Sequence, residues 1–403
     1  MNYLFYLEPY TFILNGEDKS VVYNTLNAAY TLFPKHPVID KIKQTWEKAS
    51  NGYCCEITEG EKTDEVVAAF IHEVRESFSG DCIEWETGRK KPFIFKPQLF
   101  LNSEIQLRKE KDETLWGKRI MQNLNEVTLY VPTPDYTGGK SREPYHKQLL
   151  HCMDFPMDKM TTDDYEDLLK RLEIYGVRRV NLIANGNPFE NAYMREIMAS
   201  HQPQNYKLHV YLDVKALHTQ QLPIMENILW EVSVHGEDLA NAIPIINACE
   251  RKDVRWDIVV TSEEDMERLR DVQGRQVKVQ PYYTGSNLQF FEDYVFMTLD
   301  DLLSEPVDRR SIFRHQALNE HFFGKVTIMP TGEVYSSLWS ESLGNIREEK
   351  LKQLLYREFT ERGVWLGTRS KVEPCKDCVN RDLCPSISDY ELVIGRHDLC
   401  HMR

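Results

Sequence analysis

The sequence predicts an α/β protein in three parts. Residues 1–90 read as a winged-helix-like α+β unit, 124–310 as a partial (β/α)6 barrel and 311–403 as a cysteine-rich extension, with 91–123 as a connector. Three observations predict this. Six short apolar segments alternate with amphipathic helical stretches through the middle of the chain, as parallel strands joined by helical crossovers require. Ahead of them, short aromatic-rich segments precede periodic helical ones. Behind them the rhythm stops and Cys375, Cys378, Cys384 and Cys400 gather.

In the first unit, residues 3–7 and 10–14 read as strands. Asn15-Gly16-Glu17-Asp18 reads as a turn and residues 20–23 as a third strand. Asn24-Thr25 is suited to cap a helix over 26–33. A second helix is expected over 38–49, with Val38, Ile39, Ile42 and Trp46 on one face. A third is expected over 64–77, where Val66, Val67, Phe70, Ile71 and Val74 recur at helical spacing. The order is β-β-β-α-α-(β)-α.

The middle supplies strands at 127–131, 179–183, 208–213, 229–234, 254–260 and 277–282. Helical stretches at 162–175, 190–200, 238–249 and 263–271 lie between them. Right-handed crossovers curl such a sheet into a partial barrel. In the extension, residues 325–329 and 333–335 flank Thr331-Gly332 as a hairpin, and a helix is expected over 349–359.

Composition narrows the function classes. A net charge of −14 repels polyanions, and residues 1–100 hold 15 acidic and 11 basic side chains. Nucleic acid is therefore not an expected partner. No apolar run reaches the roughly 20 residues of a membrane span, and the N-terminal residues lack the basic stretch of an export signal. A cytoplasmic location is expected. Cys54, Cys55, Cys82, Cys152 and Cys249 are scattered and read as apolar fillers.

The four C-terminal cysteines read Cys-x2-Cys-x5-Cys-x15-Cys, enough thiolates for one closed four-ligand site. A Cys-x2-Cys knuckle turns two sulfurs toward one point, and two further thiols complete a tetrahedral set. Spacing alone leaves a 4Fe–4S cluster and zinc both open. A site closed by protein ligands has a structural or electron-transfer role.

The barrel and extension together resemble radical S-adenosylmethionine (SAM) proteins that carry a SPASM extension. There, a strand like Glu126-Val127-Thr128-Leu129-Tyr130-Val131 leads into a loop with Cys-x3-Cys-x2-Cys, which holds the SAM-cleaving cluster. Here that loop, residues 132–144, contains no cysteine. The family's Gly-Gly-Glu-Pro, which grips the methionine end of SAM, corresponds to Asn185, Gly186, Asn187 and Pro188, with Asn in place of Glu. A ligand thiol of the first auxiliary cluster is replaced by serine near Ser336 or Ser337, and another by Ser388. The ligands of the second auxiliary cluster, Cys375, Cys378, Cys384 and Cys400, are all kept.

Residues 3–78 resemble the small peptide-binding domain of peptide-modifying enzymes, of the type seen in the peptide chaperone of pyrroloquinoline quinone assembly. In that family a leader peptide adds as a strand beside the third strand and packs on the last helix. The resemblance places the groove on Lys19, Ser20, Val21, Val22 and Tyr23, facing Val67, Phe70, Ile71 and Val74. A structural cap and a DNA-binding winged helix are the other readings of this unit.

As a whole the chain resembles pseudo-radical-SAM proteins of Bacteroidales-type peptide systems whose precursors carry a Gly-Gly leader. The resemblance implies a pseudoenzyme without a radical-SAM cluster, and SAM is not expected as a cofactor. One 4Fe–4S cluster, alternatively zinc, is expected on the four thiols. The implied partners are a precursor peptide and an active radical SAM maturase of ribosomal peptides. Two other classes stay open: an enzyme with non-radical chemistry in the barrel pocket, and an electron carrier. Asp213 and His235 lie at strand ends, where barrel enzymes place functional groups, but read more simply as turn residues. His146, His151 and Cys152 are too irregularly spaced for a metal site.

Overall fold

The computed structural model describes residues 2–86, 120–132, 145–150, 160–184, 187–200, 205–217, 222–273 and 276–402. The chain opens with β1 (Asn2–Leu7), β2 (Thr11–Asn15), β3 (Ser20–Asn24), β4 (Tyr30–Leu32) and α1 (Pro37–Trp46). β5 (Cys54–Thr58), α2 (Glu59–Lys62), α3 (Glu65–Glu76) and β6 (Gly80–Trp85) complete this unit. It contains two three-stranded antiparallel sheets, ordered β5-β1-β6 and β2-β3-β4. Tyr3, Phe5 and Leu7 alternate toward a core shared with Trp46, Phe70 and Val74, while Leu4 faces the other way. Trp46 Nε1 donates to the Phe5 carbonyl at 3.1 Å, which satisfies the indole inside that core.

The helix expected over 26–33 is instead a hairpin arm. Asn24 Oδ1 accepts from the Leu26 N–H and Asn27 Oδ1 from the Ala29 N–H, two side-chain turns that compete with helix. Ala28 adopts a left-handed φ of 58°, and the Asn24 N–H closes on the Ala29 carbonyl at 2.9 Å. The same Asn-Thr pair that suits a helix cap here makes a hairpin turn.

The middle of the chain runs β7 (Glu126–Tyr130), α4 (Tyr145–Gln148), α5 (Thr162–Tyr175), β8 (Arg179–Ile183), α6 (Ala192–Ser200) and β9 (Lys207–Asp213). It continues with α7 (Val214–Leu217), β10 (Ile228–His235), α8 (Gly236–Ala248), β11 (Val254–Val260), α9 (Glu263–Arg268) and β12 (Val277–Pro281). Next come α10 (Leu288–Tyr294), α11 (Leu299–Leu303), α12 (Arg309–Ala317), β13 (Lys325–Ile328), β14 (Glu333–Tyr335) and β15 (Gly344–Asn345). The chain ends with α13 (Leu351–Arg357) and α14 (Asp389–Ile394).

The large sheet has nine strands in the order β12-β11-β10-β9-β8-β7-β13-β14-β15. It is parallel from β12 through β13, and β14 and β15 follow as an antiparallel ribbon. The protein is thus a mixed α/β fold built on a parallel-dominated sheet. One face of that sheet carries Val127, Leu129, Val180, Leu182, Val210 and Trp230, buried against the helices. β13 extends the sheet beside β7, so a boundary at residue 311 separates strands that share backbone hydrogen bonds.

The two ends of the chain meet. Phe12, Leu14, Val21 and Tyr23 share a core with Leu302, Ile312, Val379 and Leu383. Tyr23 Oη accepts from the Val307 N–H at 2.7 Å, and the Glu17 N–H donates to the Asp377 carbonyl at 2.9 Å. Among the described residues no helix is long and apolar enough to cross a membrane.

Candidate functional site

The four C-terminal thiols line one cavity of about 950 Å3 between α11, α12 and the tail. Cys375 opens a short 3-10 turn, and the Cys378 N–H closes on the Cys375 carbonyl at 3.0 Å. The Asn380 N–H then donates to Cys378 Sγ at 3.4 Å, the turn geometry of a metal knuckle. Arg369, nearly buried, sends one guanidinium nitrogen toward Cys375 Sγ at 3.6 Å and another to Glu391 at 2.6 Å. A fixed cation beside four thiols suits a site that gains negative charge on ligation. Burial pushes the Cys384 thiol up to about 12 and raises Cys375 as well, despite Arg369. Among the described residues no group of three or more His, Cys, Asp or Glu side chains is arranged to hold a single metal ion.

The serines at the expected thiol positions each have other work. Ser388 caps α14: its Oγ accepts from the Tyr390 N–H and bonds Glu391 Oε2 at 2.5 Å in a capping box. Glu391 in turn holds Arg369, so this cap connects to the thiols. Ser336 is buried and donates to Glu358 Oε2 at 2.6 Å. Burial raises the Glu358 carboxyl above its ordinary range, and the Trp365 N–H also donates to it at 2.7 Å. A hydrogen-bonded carboxyl therefore fills the ground beside Ser336.

At the C-terminal end of the parallel strands, where barrel proteins bind their ligands, the chain supplies its own side chains. Leu150 packs among Tyr130, Ile183, Tyr211 and Met329. Leu149 joins Val259 and Tyr282. Gln148 trades two hydrogen bonds with the backbone of Tyr283, both 2.9 Å, and Trp339 Nε1 donates to the Lys147 carbonyl at 3.1 Å. Residues 147–150 are thus tied to both sides of the sheet. The preceding loop, 133–144, lies outside the described residues, as do the 87–119 stretch of the connector, His151, Cys152, Asn185 and Gly186. Asn187 spends its side chain locally: Oδ1 accepts from the Phe189 N–H and Nδ2 donates to Glu190. Pro188 is buried beside it.

Lys19–Tyr23 cannot take up a further strand. β3 is the middle of its sheet, paired with β2 on one side and β4 on the other. Ser20, Val21, Val22 and Tyr23 are buried, and only Lys19 is exposed, in the β2–β3 turn. Val67, Phe70, Ile71 and Val74 are buried in the N-terminal core rather than lining a groove. The open edge belongs to β4. Ser20 pairs with Phe33 and Asn24 with Ala29 through backbone hydrogen bonds, so antiparallel alternation turns the N–H and C=O of Tyr30 and Leu32 outward. α3 runs alongside. Asn24 and Asn27 bond the Ser77 carbonyl at its end, and His36 reaches Asp64 at its start, 3.6 Å away. Leu32, 50% exposed, and Val66, 39% exposed, present apolar surface there.

The inner face of the large sheet holds residues that sequence reasoning missed. Glu126, Thr128, Arg179, Asn181, His209 and Glu231 form one hydrogen-bonded network. Arg179 reaches Glu231 at 3.2 Å and Tyr211 Oη at 2.8 Å, and Asn181 bonds both Glu126 and Thr128. His209 Nδ1 lies 2.5 Å from Glu231 Oε1. Burial lowers His209 and leaves it neutral. Burial pushes Glu231 up, but the His209 bond and the Arg179 charge outweigh it and hold the carboxyl low. An ionised carboxylate accepting from a neutral imidazole satisfies both shifts. Next to them, burial and the Glu231 charge push Asp257 up to about 6. The available signal was a charge at alternate positions of strands that a parallel sheet ordinarily makes apolar throughout. Asp213 and His235 stay local: Asp213 accepts from the Lys215 N–H, and His235 is buried as the N-cap residue of α8.

No protein-family model matches the chain, and no curated protein matches it.

Proposed function

We propose that the chain is a catalytically degenerate, radical-SAM-like pseudoenzyme. On this reading it binds a precursor peptide and partners an active radical SAM maturase in the cytoplasm. The large sheet is read as the partial (β/α)6 barrel, residues 1–90 as a winged-helix-like recognition unit, and the tail as a SPASM-like extension. The observation that carries the proposal is the packing of Leu149 and Leu150 over the strand C-termini, where the resemblance puts cofactor and substrate. The serine replacements agree with it, since Ser336 and Ser388 are committed to carboxylates rather than aimed at a shared site.

The peptide docks on β4 and α3 rather than on β3. Outward N–H and C=O groups of Tyr30 and Leu32 supply main-chain bonds, and Leu32 and Val66 supply the apolar register. The tail thiols are read as the ligands of one 4Fe–4S cluster, which is supported by their lining one cavity with the Arg369 cation beside them. Cys375, Cys378, Cys384 and Cys400 would hold it. When bound, a cluster closed by four thiolates supplies cross-linking of the tail and a one-electron couple. Zinc is the alternative metal, although the described thiols do not gather on a single ion, and iron and sulfide content of anaerobically prepared protein separates the two. Passive electron transfer to the maturase is compatible with the same site.

The test is a pull-down of precursor peptide and maturase by the purified chain, joined to a turnover assay of the chain alone. Capture of both without 5′-deoxyadenosine release supports the proposal. Enzymatic release of 5′-deoxyadenosine by the chain alone, or binding to neither partner, overturns it. A second reading, non-radical chemistry in the barrel, is favoured by one observation: a buried carboxyl with a raised pKa, Asp257, set among charged groups.

A further inference from the structure

The polar inner face opens at the N-terminal end of the parallel strands, opposite the plugged mouth. A cavity of about 500 Å3 lies there. Five cations line it: Arg179, Lys207, Lys252, Arg255 and Lys278, against two carboxylates, Glu231 and Asp257. Arg179, Tyr211 and Lys278 also line a second, inner cavity of about 270 Å3, so the two adjoin.

The charge is unbalanced in a specific way. Glu231 is shared among His209, Arg179 and Arg255, at 2.5, 3.2 and 3.7 Å. Arg179 also meets Glu126 at 3.7 Å, so three carboxylates in all answer the five cations. Among the described residues, Lys207, Lys252 and Lys278 have no carboxylate within 4 Å. The remaining acid, Asp257, is buried with its carboxyl raised to about 6, so near pH 7 it is largely ionised and offsets one of the cations, Lys278 among those facing it. This positive excess sits in a chain of net charge −14. Low-dielectric walls around like charges focus the field and draw in small anions. The guanidinium groups add directional donors suited to a tetrahedral or planar oxyanion.

We propose that this cavity binds a small multivalent oxyanion, a phosphate or a polycarboxylate carried by a small molecule, entering from the N-terminal end of the sheet. The inference goes beyond the peptide-partner reading and stands on the cavity and its charges alone.

Calorimetry and thermal melting of the full chain test it, using inorganic phosphate and citrate, with sodium chloride at matched ionic strength as control. Saturable stabilisation by phosphate, by citrate or by both supports the site, and the stronger of the two names its ligand class. Lys207 and Lys278 are exposed, so a Lys207→Glu/Lys278→Glu chain should fold as the wild type does. It is expected to bind at least tenfold more weakly. Asp257→Asn, which removes an opposing acid without changing shape, is expected to bind more tightly. That opposite sign is a readout a merely structural network would not give. A melting shift reproduced by chloride, or equal affinity in all three proteins, overturns the proposal.

Discussion

Ser388, Ser336 and Asp257 show how single side chains decide what these sites can do. Ser388 anchors α14 and, through Glu391, holds Arg369 beside the thiols. Ser388→Ala is expected to cost about 1 kcal/mol, as loss of an N-cap does, read as a lowered melting temperature. It should also loosen Arg369. Asp257 gives a pH dependence of defined sign. Burial raises its carboxyl from an ordinary 3.8 to about 6. Below 3.8 the group is neutral folded or unfolded and contributes nothing. As pH climbs toward 6 the unfolded chain loses the proton first, so the folded state is penalised progressively, by an amount on the order of 3 kcal/mol. The charges facing it are Glu231, whose carboxyl is held low by the His209 bond and the Arg179 charge, with Lys278, Arg179 and Arg255. Wild type should therefore lose part of its stability between pH 4 and 6, and Asp257→Asn should lose less. Urea melts across that range check it, and parallel profiles would refute the assignment.

At the scale of elements, β4 separates two roles that its sequence does not distinguish. The Thr31 N–H belongs to the ladder with Val22, whereas the Leu32 N–H faces outward. Proline is tolerated in an edge strand where its missing donor faces solvent. Leu32→Pro is therefore expected to leave the melting temperature nearly unchanged while abolishing leader-peptide binding, measured by fluorescence polarisation. Undiminished binding would place the peptide elsewhere. The βα elements were legible because their signal is local: 179–183, 254–260 and 162–175 are strand or helix over the residues that periodicity selects. The hairpin at Asn24–Leu32 was not. Asn-Thr before an apolar stretch suits a helix cap and an Asn-led turn equally, and pairing of 30–32 with 21–23 makes the choice.

At the scale of the molecule, the N-terminal sheet and the cysteine segment fold against one another. Tyr30 Oη donates to Asn380 at 2.8 Å, and the Asn380 N–H donates to Cys378 Sγ. Gly16 lies so close to the tail that an added Cβ would stand 2.7 Å from the Val379 nitrogen. Gly16→Ala should destabilise the junction by roughly 1–3 kcal/mol, as overpacking does. Hydrogen exchange should rise in both 11–24 and 375–384 together. On the proposed metal occupancy of the four thiols, a chelator should raise exchange over the same two segments, including β4, and weaken leader binding. Change confined to the tail would show that the junction does not couple them.

The sequence by itself determined the α/β alternation, the absence of cysteine from residues 132–144 and the clustering of four thiols at the tail. Each of these is a matter of residue identity and short-range spacing, which a linear reading preserves. Tertiary structure decided which strand keeps an open edge, which side chains cover the C-terminal ends of the parallel strands, and that Arg179, Glu231 and Asp257 face one cavity. Those depend on strand order and on contacts between residues up to hundreds of positions apart, set by hydrogen bonding and burial across the whole chain rather than by any local pattern.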